Sequence, residues 1–309
     1  MTFLKREATD RPAGTRSALS RQILLFVVCV ILFSSVPYFF IIHSGHLAAG
    51  NGSMVTLLMW CPALAALASC RLLGIDIASL GWNWRPVRYE VGAYLLPILY
   101  ASPVYILTWL LVRGSFQFSA FAVPASAALG FAHWPSIIAL LVALPSYASV
   151  GVVQAMTGAL GEEIGWRGFL LPRLASRMGF TLGCMVSGCI WAVWHYPALL
   201  LADYNAGTKP MYALTCFTLM VIGDAYILGW FRLKSGSLWP AAMLHASHNL
   251  FIQAIFDRMT NPSGTAPYLT TEFGAGLALT VAVCAFYVWN RRAEVSPSIP
   301  NGEPLRAGF

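Results

Sequence analysis

The chain has 309 residues, of which 58% are hydrophobic and only 10% are charged, and its mean hydropathy is +0.67. Soluble globular proteins carry about 25% charged residues and roughly 45–50% apolar residues. The composition therefore excludes a water-soluble domain, a disordered tail and a disulfide-stapled secreted module, and it predicts an all-α polytopic membrane protein. The formal net charge is +7, but the basic residues are scattered between apolar runs and form no stripe. This distribution does not favour a nucleic-acid partner.

Apolar stretches follow one another along the chain, and each is long enough to cross the roughly 30 Å hydrocarbon layer of a bilayer as a helix. They separate a polar tail at 1–21, a membrane domain at 22–290 and a second polar tail at 291–309. The first stretch is too long for the apolar part of a cleaved signal peptide, so we expect an uncleaved helix. The eight predicted spans are 22–43, 54–73, 91–112, 136–160, 181–201, 211–231, 238–256 and 274–290.

Lysines and arginines are distributed unevenly between the predicted loops. If the N-terminus is cytoplasmic, the outer loops hold only Arg113, Lys209 and Arg258, and the other 16 of the 19 Lys and Arg residues lie on cytoplasmic segments. Cytoplasmic loops of membrane proteins carry an excess of Lys and Arg. The distribution therefore predicts cytoplasmic N- and C-termini.

Residues 166–180 differ from the neighbouring spans. Leu170, Leu174 and Met178 recur at every fourth position, and two arginines share another face. An apolar face opposite a basic face is typical of a helix that lies in the membrane interface. We therefore expect a short interfacial helix in this segment, on the cytoplasmic side.

Ionisable residues inside membrane spans are costly, so each is a candidate for function. Glu163 and Arg167 are four residues apart and can form an ion pair on a helix, which leaves Glu162 for another task. A partly desolvated carboxylate can act as a general base on water. An ion pair at a helix end is the competing interpretation. The other polar candidates in the spans are His195, Asp224, His245, His248 and Asn249.

Two histidines lie on helical faces that would suit hydrolysis. His195 follows Trp191 by four residues, so the indole ring should lie against the imidazole. His245 and Asn249 also share a helical face and could present two donors to a developing oxyanion. Hydrogen bonds between packed helices are the competing interpretation for these polar residues.

The polar motifs occur in the order found in a known family, and the sequence resembles the CPBP intramembrane proteases. This family groups CAAX prenyl endopeptidases with bacteriocin-processing and immunity (Abi-like) proteins. The resemblance covers about 160–250, and one departure is Trp191, where the family usually has Phe. The motifs are Glu162-Glu163-x-x-x-Arg167, aromatic-x-x-x-His195 and His245-x-x-x-Asn249.

The resemblance implies an intramembrane endopeptidase with a protease core at about 136–256, which hydrolyses a peptide bond near the cytoplasmic membrane interface. It implies that Glu162 activates the hydrolytic water and that His195 helps to hold this water. His245 and Asn249 would stabilise the oxyanion. The residues that the resemblance assigns to supporting the site are Glu163 and Arg167.

The residues leave open whether a metal takes part. The family is commonly called a metalloprotease, and Glu162, His195 and His245 would satisfy a three-ligand catalytic zinc with an open position. The sequence contains no H-E-x-x-H motif, however, and a metal-free glutamate mechanism is equally compatible with the same residues. Zinc is therefore a candidate cofactor only.

The expected partners are membrane lipids and a peptide or protein substrate, either a prenylated Cys-a-a-X protein or a bacteriocin precursor. The compact chain suggests a bacterial inner-membrane protein. Two other functions stay open, namely an inactive scaffold or immunity protein of the same fold and a secondary transporter, for which Asp224 is the best clue. The sequence lacks the Gly-x-Ser motif that a rhomboid-like serine protease would need.

Overall fold

The computed structural model describes residues 13–84, 86–131 and 133–295. Within these ranges the regular secondary structure is helical, with no strand and one isolated antiparallel bridge between Phe116 and Thr260. The predicted all-α fold is therefore confirmed. The two predicted polar tails lie for the most part outside the described residues.

Each predicted apolar stretch lies on one or more helices of the structure. One further apolar helix, α4, occupies a segment for which no span was predicted. The helices of the first half are α1 (Ala13–Ser44), α2 (Ser53–Leu73), α3 (Val87–Leu111), α4 (Phe118–Ala128), α5 (Ser136–Ser146) and α6 (Val152–Glu163). Those of the second half are α7 (Leu171–Leu201), α8 (Pro210–Ser235), α9 (Trp239–His248), α10 (Ala266–Leu269) and α11 (Ala275–Asn290).

Helix length and composition are those of a multi-pass membrane protein. In the described part of the chain, five helical stretches are long and apolar enough to cross a membrane, while α4 and α11 are apolar but shorter. The number of crossings, eight, stays a prediction. The five stretches are Ser17–Ser44, Ser53–Leu73, Val87–Leu111, Ser136–Leu201 and Pro210–Ser235.

Contacts between loops define two ends of the bundle. At one end, which we call the Asp203 end, the backbone amide of Leu47 donates to Oδ1 of Asp203 at 2.7 Å. At the opposite end, the Arg232 end, Nη2 of Arg232 donates to the carbonyl of Leu80 at 3.3 Å. The loop after α1 thus meets the loop after α7, and the loop after α2 meets the end of α8. Consecutive long helices therefore run in opposite directions.

The helix predicted at 166–180 ends at a bend at Gly179, but at its start it is continuous with α6. Its location in the membrane interface stays a prediction. π-Helical segments at Tyr147–Gly151 and Ile164–Leu170 join α5, α6 and α7 into one helical path. Trp166 and Arg167 are fully buried, so the start of this segment packs inside the bundle. An apolar stripe on a helix can be covered by neighbouring helices as well as by a membrane interface, and the sequence pattern does not distinguish the two.

A sharp bend within α7 sets the height of the polar residues in the bundle. Gly179 has φ 79° and ψ 171°, a conformation that residues with a Cβ rarely adopt. The number of residues from Glu162 to Met178 equals the number from Gly179 to His195. The two arms are thus equally long in residues, and a hydrogen bond from Trp191 to Glu162 joins them near His195, so Glu162 and His195 line the same cavity. Glu162 lies near the end of α6, and the helical path continues past it through the π-helical segment Ile164–Leu170.

Two glycines bring α6 and the following π-helical segment close to α2. A Cβ on Gly161 would lie 2.7 Å from the carbonyl oxygen of Met59, and a Cβ on Gly165 would lie 2.6 Å from the carbonyl oxygen of Pro62. Small residues at a four-residue spacing allow helix backbones to approach each other in this way. The contact fixes the two glutamates that lie between the glycines.

Candidate active site

Glu162 is buried in the bundle, and two indole groups hold one of its carboxylate oxygens. Nε1 of Trp191 donates to Oε2 at 2.7 Å, and Nε1 of Trp166 donates to the same oxygen at 3.3 Å. An indole N–H can only donate, so Oε2 must accept both hydrogen bonds. Neither indole contacts Oε1, and Glu162 lines a cavity. The arrangement suits an ionised carboxylate with one oxygen left for water.

Glu163 points to a different set of partners and links Arg167 to His245. Its Oε1 lies 3.0 Å from Nη1 of Arg167 and 2.9 Å from Nδ1 of His245. The guanidinium carbon of Arg167 lies 4.1 Å from the centroid of the Trp191 ring. The ion pair expected from the four-residue spacing is present, and its cation stacks on the ring that holds the other glutamate.

The tautomer of His195 follows from its backbone contact. Nδ1 lies 2.9 Å from the carbonyl oxygen of Trp191, which can only accept, so Nδ1 carries the proton. The other ring nitrogen, Nε2, is then unprotonated in the neutral imidazole. Aromatic rings fix the plane of the imidazole, with Trp194 at 4.7 Å and Phe217 at 5.0 Å between centroids. His195 thus presents an acceptor in a fixed position.

His245 and Asn249 lie one helical turn apart at the junction of α9 with the π-helical segment Asn249–Phe256. Because Glu163 accepts the Nδ1 proton of His245, Nε2 is the nitrogen left for the cavity. Oδ1 of Asn249 lies 3.5 Å from Nε2 of Gln253, which leaves the amide nitrogen of Asn249 to donate elsewhere. The centroids of Trp191 and His245 are 5.5 Å apart, so the same indole lies against both histidines of the site.

A cavity of about 200 Å³ joins most of the predicted site residues. Arg167 and Glu163 stay behind its wall, which agrees with the supporting role that the resemblance implies. Among the described residues that line the cavity, none is a lysine or an arginine. The predicted site residues that do line it are Glu162, His195, His245 and Asn249.

The cavity extends toward the Asp203 end of the bundle and away from the Arg232 end. Its lining includes Leu47, Tyr204 and Glu272, which belong to loops at the Asp203 end. The few Lys and Arg residues expected outside the membrane lie in loops at this same end. The positive-inside prediction therefore places the cavity on the side away from the cytoplasm. The predicted cleavage near the cytoplasmic interface requires the opposite side.

Sequence reasoning missed Glu272, because this residue lies between α10 and α11 and outside every predicted span. Oε1 of Glu272 lies 3.1 Å from Nε2 of His248, and its Oε2 accepts from the Tyr204 hydroxyl at 2.7 Å. Asp224, the residue that suggested a transporter, lies 3.8 Å from Nδ1 of the same histidine. The structure thus brings the remaining polar candidates together in the wall of the same cavity.

The side chains proposed as zinc ligands do not converge. In the described part of the chain, no three or more His, Cys, Asp and Glu side chains are grouped so that they could hold a metal ion. Glu162, His195 and His245 all line the cavity, but Oε2 of Glu162 and Nδ1 of each histidine are hydrogen-bonded to protein. The residues present therefore do not fit a zinc site, and we derive no catalytic step through a metal.

A bundle of apolar helices with a buried glutamate, two histidines and an amide around one cavity is an arrangement suited to hydrolysis inside a membrane. Residues 144–251 match the family model described as "Type II CAAX prenyl endopeptidase Rce1-like". This segment contains all the motifs of the predicted site. This segment of the chain is therefore similar to the Rce1-like proteases, and the resemblance seen in the sequence is confirmed.

A curated relative supports the same assignment. The chain is 27% identical over 99 residues to "CAAX prenyl protease 2" of Methanococcus maripaludis, which covers 31% of this chain and 36% of the relative. The chain thus matches about a third of the length of that relative. The similarity concerns the protease segment and not the whole protein.

Proposed function

We propose that the protein is an intramembrane endopeptidase in which Glu162 activates the hydrolytic water. One observation carries this proposal: Oε2 of Glu162 is held by two indole N–H groups, while the side chain faces a cavity that also contains His195 and His245. The family of the matched segment supports a protease rather than a transporter or an inactive scaffold.

The first step is attack of water on the peptide carbonyl. Oε1 of Glu162 takes one proton of the water, and Nε2 of His195 accepts a hydrogen bond from the other O–H group and orients the molecule. The water oxygen bonds to the carbonyl carbon, whose oxygen becomes an anion. Protonated Glu162 then gives its proton to the amide nitrogen, and the carbon–nitrogen bond breaks to release an amine and a carboxylic acid.

The oxyanion is stabilised by donors on α9 and on the segment that follows it. Nδ2 of Asn249 is one donor. Nε2 of His245 is the other, provided that the ring is an imidazolium, because Nδ1 already donates to Glu163. The charges favour this state: Glu162 and Glu163 are two buried anions, Arg167 is one cation, and a charged His245 balances the group.

The position of the cavity leads us to revise the expected site of cleavage. The arms on either side of Gly179 place Glu162 well inside the bundle, and the cavity extends from it toward the Asp203 end. We propose that the scissile bond enters the membrane-embedded half of the protein next to that end. With cytoplasmic termini, this is the half that faces away from the cytoplasm.

The names of the family and of the relative suggest the first substrates to test. A prenylated Cys-a-a-X peptide is the first class, and a bacteriocin precursor is the second. Membrane lipids are the surrounding partners. We propose the bacterial inner membrane as the location, with both termini in the cytoplasm.

The test is quantitative mapping of new protein termini in membranes from cells that produce the parent or Glu162→Gln. We expect termini that appear only with the parent, because removal of a general base costs roughly 10²–10⁴ in rate. Glu90→Gln is the matched control, since Glu90 is a buried carboxylate of α3 that does not line the cavity. Identical termini for the parent and Glu162→Gln, at equal protein levels, would contradict the proposed function.

A further inference from the structure

One part of the cavity wall is acidic and has no role in the proposed hydrolysis. Asp224 of α8 and Glu272 of the loop before α11 lie on two sides of His248. Oδ2 of Asp224 is 3.8 Å from Nδ1 of His248, and Oε1 of Glu272 is 3.1 Å from Nε2. All three side chains line the cavity and are buried. We call this group the acidic subsite.

The hydrogen-bond partners of His248 are compatible with a neutral ring and with a protonated ring. Nδ1 lies 2.6 Å from the hydroxyl of Tyr100, which can donate to it, and Nε2–H donates to Glu272. The second oxygen of Glu272 accepts from Tyr204. Even with a protonated histidine, the acidic subsite contains two carboxylates and only one cation.

Asp224 is the least satisfied member of the acidic subsite. The residue is 4% exposed, and its Oδ1 has no hydrogen-bond partner among the described residues. A buried carboxylate without a partner is costly, and one that also lines a cavity is a candidate for binding a group that enters the cavity. The nearest guanidinium in the site, that of Arg167, is paired with Glu163 and does not line the cavity.

Because the acidic subsite lines the cavity, a balancing cation can reach it from there. We propose that the acidic subsite binds a positively charged Lys or Arg side chain of the peptide substrate, an inference that rests on the proposed endopeptidase function. The ammonium or guanidinium group would pair with Asp224 next to His248. This assignment adds a charge requirement to the substrate class, which the site residues of the family motifs do not supply.

The helix geometry limits where the basic residue lies in the substrate. His245 and His248 are three residues apart on α9, which corresponds to roughly 4.5 Å along the helix axis. An extended peptide advances about 3.3 Å per residue. The Lys or Arg residue is therefore expected within about two positions of the scissile bond.

The test compares sequences around new termini in membranes from cells with the parent, Glu162→Gln, Asp224→Asn or Asp203→Asn. Asp203→Asn is the matched control, because Asp203 bonds to a loop amide and does not line the cavity. We expect parent-specific termini to be enriched in Lys and Arg within two positions of the cut. Asp224→Asn should lower the ratio of cuts next to basic residues to cuts next to neutral residues by about tenfold, which corresponds to about 1.4 kcal/mol.

The outcomes separate this inference from the proposed function. Parent-specific termini without enrichment in Lys or Arg would overturn the acidic subsite and leave the protease intact. An Asp224→Asn variant that keeps the parent's ratio would also overturn the acidic subsite alone. No parent-specific termini at all would overturn the proposed function, and the acidic subsite would fall with it.

A second measurement on the parent keeps the inference testable if Asp224→Asn fails to fold. The purified protein is heated with an acetylated peptide amide of sequence Ala-Leu-Lys-Leu-Ala or with its norleucine counterpart, which has the same apolar stem and no charge. We expect the lysine peptide to raise the Tm more than the norleucine peptide. Equal or greater stabilisation by the norleucine peptide would overturn the acidic subsite.

Discussion

Trp191 of α7 donates a hydrogen bond to Glu162 of α6, with Nε1 of the indole 2.7 Å from Oε2 of the carboxylate. The family usually has Phe at this position, and a phenyl ring has no hydrogen to donate. This chain therefore fixes its proposed general base with a polar contact that the usual residue lacks. The indole also stacks under the guanidinium of Arg167, so it couples the two glutamates of the site.

Trp191→Phe should lower the rate of cleavage by roughly 10–100-fold, because a hydrogen bond to a charged group contributes about 1.5–3 kcal/mol. The turnover rate should fall more than the apparent KM rises, since the indole positions the base. The measurement is the rate of terminus formation in proteoliposomes. Trp289→Phe is the matched control, because the indole of Trp289 bonds to Thr181, outside the cavity. An unchanged rate in Trp191→Phe would show that Trp166 alone positions Glu162.

Glu163→Gln should destabilise the protein as well as inactivate it. Glu163 is the buried counter-charge of Arg167 and accepts from His245. Breaking a buried ion pair by removing one partner costs about 3–5 kcal/mol. We expect a Tm well below that of the parent in the same detergent, with Glu90→Gln as the comparison. A normal Tm together with a normal cleavage rate would contradict the supporting role assigned to Glu163.

Gly165→Ala should separate α2 from the segment that carries the glutamates. The added methyl group would lie 2.5 Å from Cβ of Pro62 and 2.6 Å from its carbonyl oxygen. Overpacking of this kind costs typically 1–3 kcal/mol, and the shift would move Glu162 away from its indole donors. Gly168→Ala is the control, because its nearest new contact is an ordinary 3.4 Å. The Tm and the cleavage rate should both fall for Gly165→Ala, and both should stay close to the parent values for Gly168→Ala.

The side of the membrane on which the cavity opens can be measured with cysteines introduced one at a time into exposed loops. Ala48 lies in the loop at the Asp203 end, and Ser79 lies in the loop at the Arg232 end. If the N-terminus is cytoplasmic, an impermeant maleimide added outside intact cells should label Ala48→Cys and not Ser79→Cys, with the parent as background. The reverse labelling would place the cavity toward the cytoplasm and contradict the positive-inside prediction.

Acid should weaken the loop contact at the Asp203 end. Burial raises the pKa of Asp203, but hydrogen bonds from the Leu47 amide and from His46 outweigh it, so the pKa lies below its usual value. The contact therefore stabilises the protein above the unfolded pKa of about 3.9 and is lost as the pH falls through the lower folded pKa. Asp203→Asn should flatten the decline of Tm in this acidic range. The free energy of unfolding involved is less than about 1 kcal/mol, because the pair is exposed. A decline of Tm equal to that of the parent would contradict this role.

Local spacing predicted the contacts that lie within one helix. The pairing of Glu163 with Arg167 and the proximity of Trp191 to His195 both follow from four-residue spacing. The bond between Trp191 and Glu162 joins two arms on either side of Gly179, and its existence depends on a bend that a single glycine does not reveal in a sequence.

Glu272 was missed for a different physical reason. Hydropathy directs attention to polar residues inside apolar runs, whereas Glu272 lies in a connecting segment that folds back to contact His248. A related limitation applies to the helix predicted at 166–180, whose start packs inside the bundle. An amphipathic pattern indicates that one face is covered, but it does not say whether lipid headgroups or other helices cover it.

The two equal arms on either side of Gly179 also constrain the number of residues between Glu162 and His195. One residue inserted between Glu162 and Gly179, or between Gly179 and His195, would rotate everything beyond it by about 100° and shift it by about 1.5 Å. Glu162 and His195 would then face different parts of the bundle, although both residues were still present. Proteins that share this chemistry should therefore keep the chain length between these two residues constant and vary in length only in the loops.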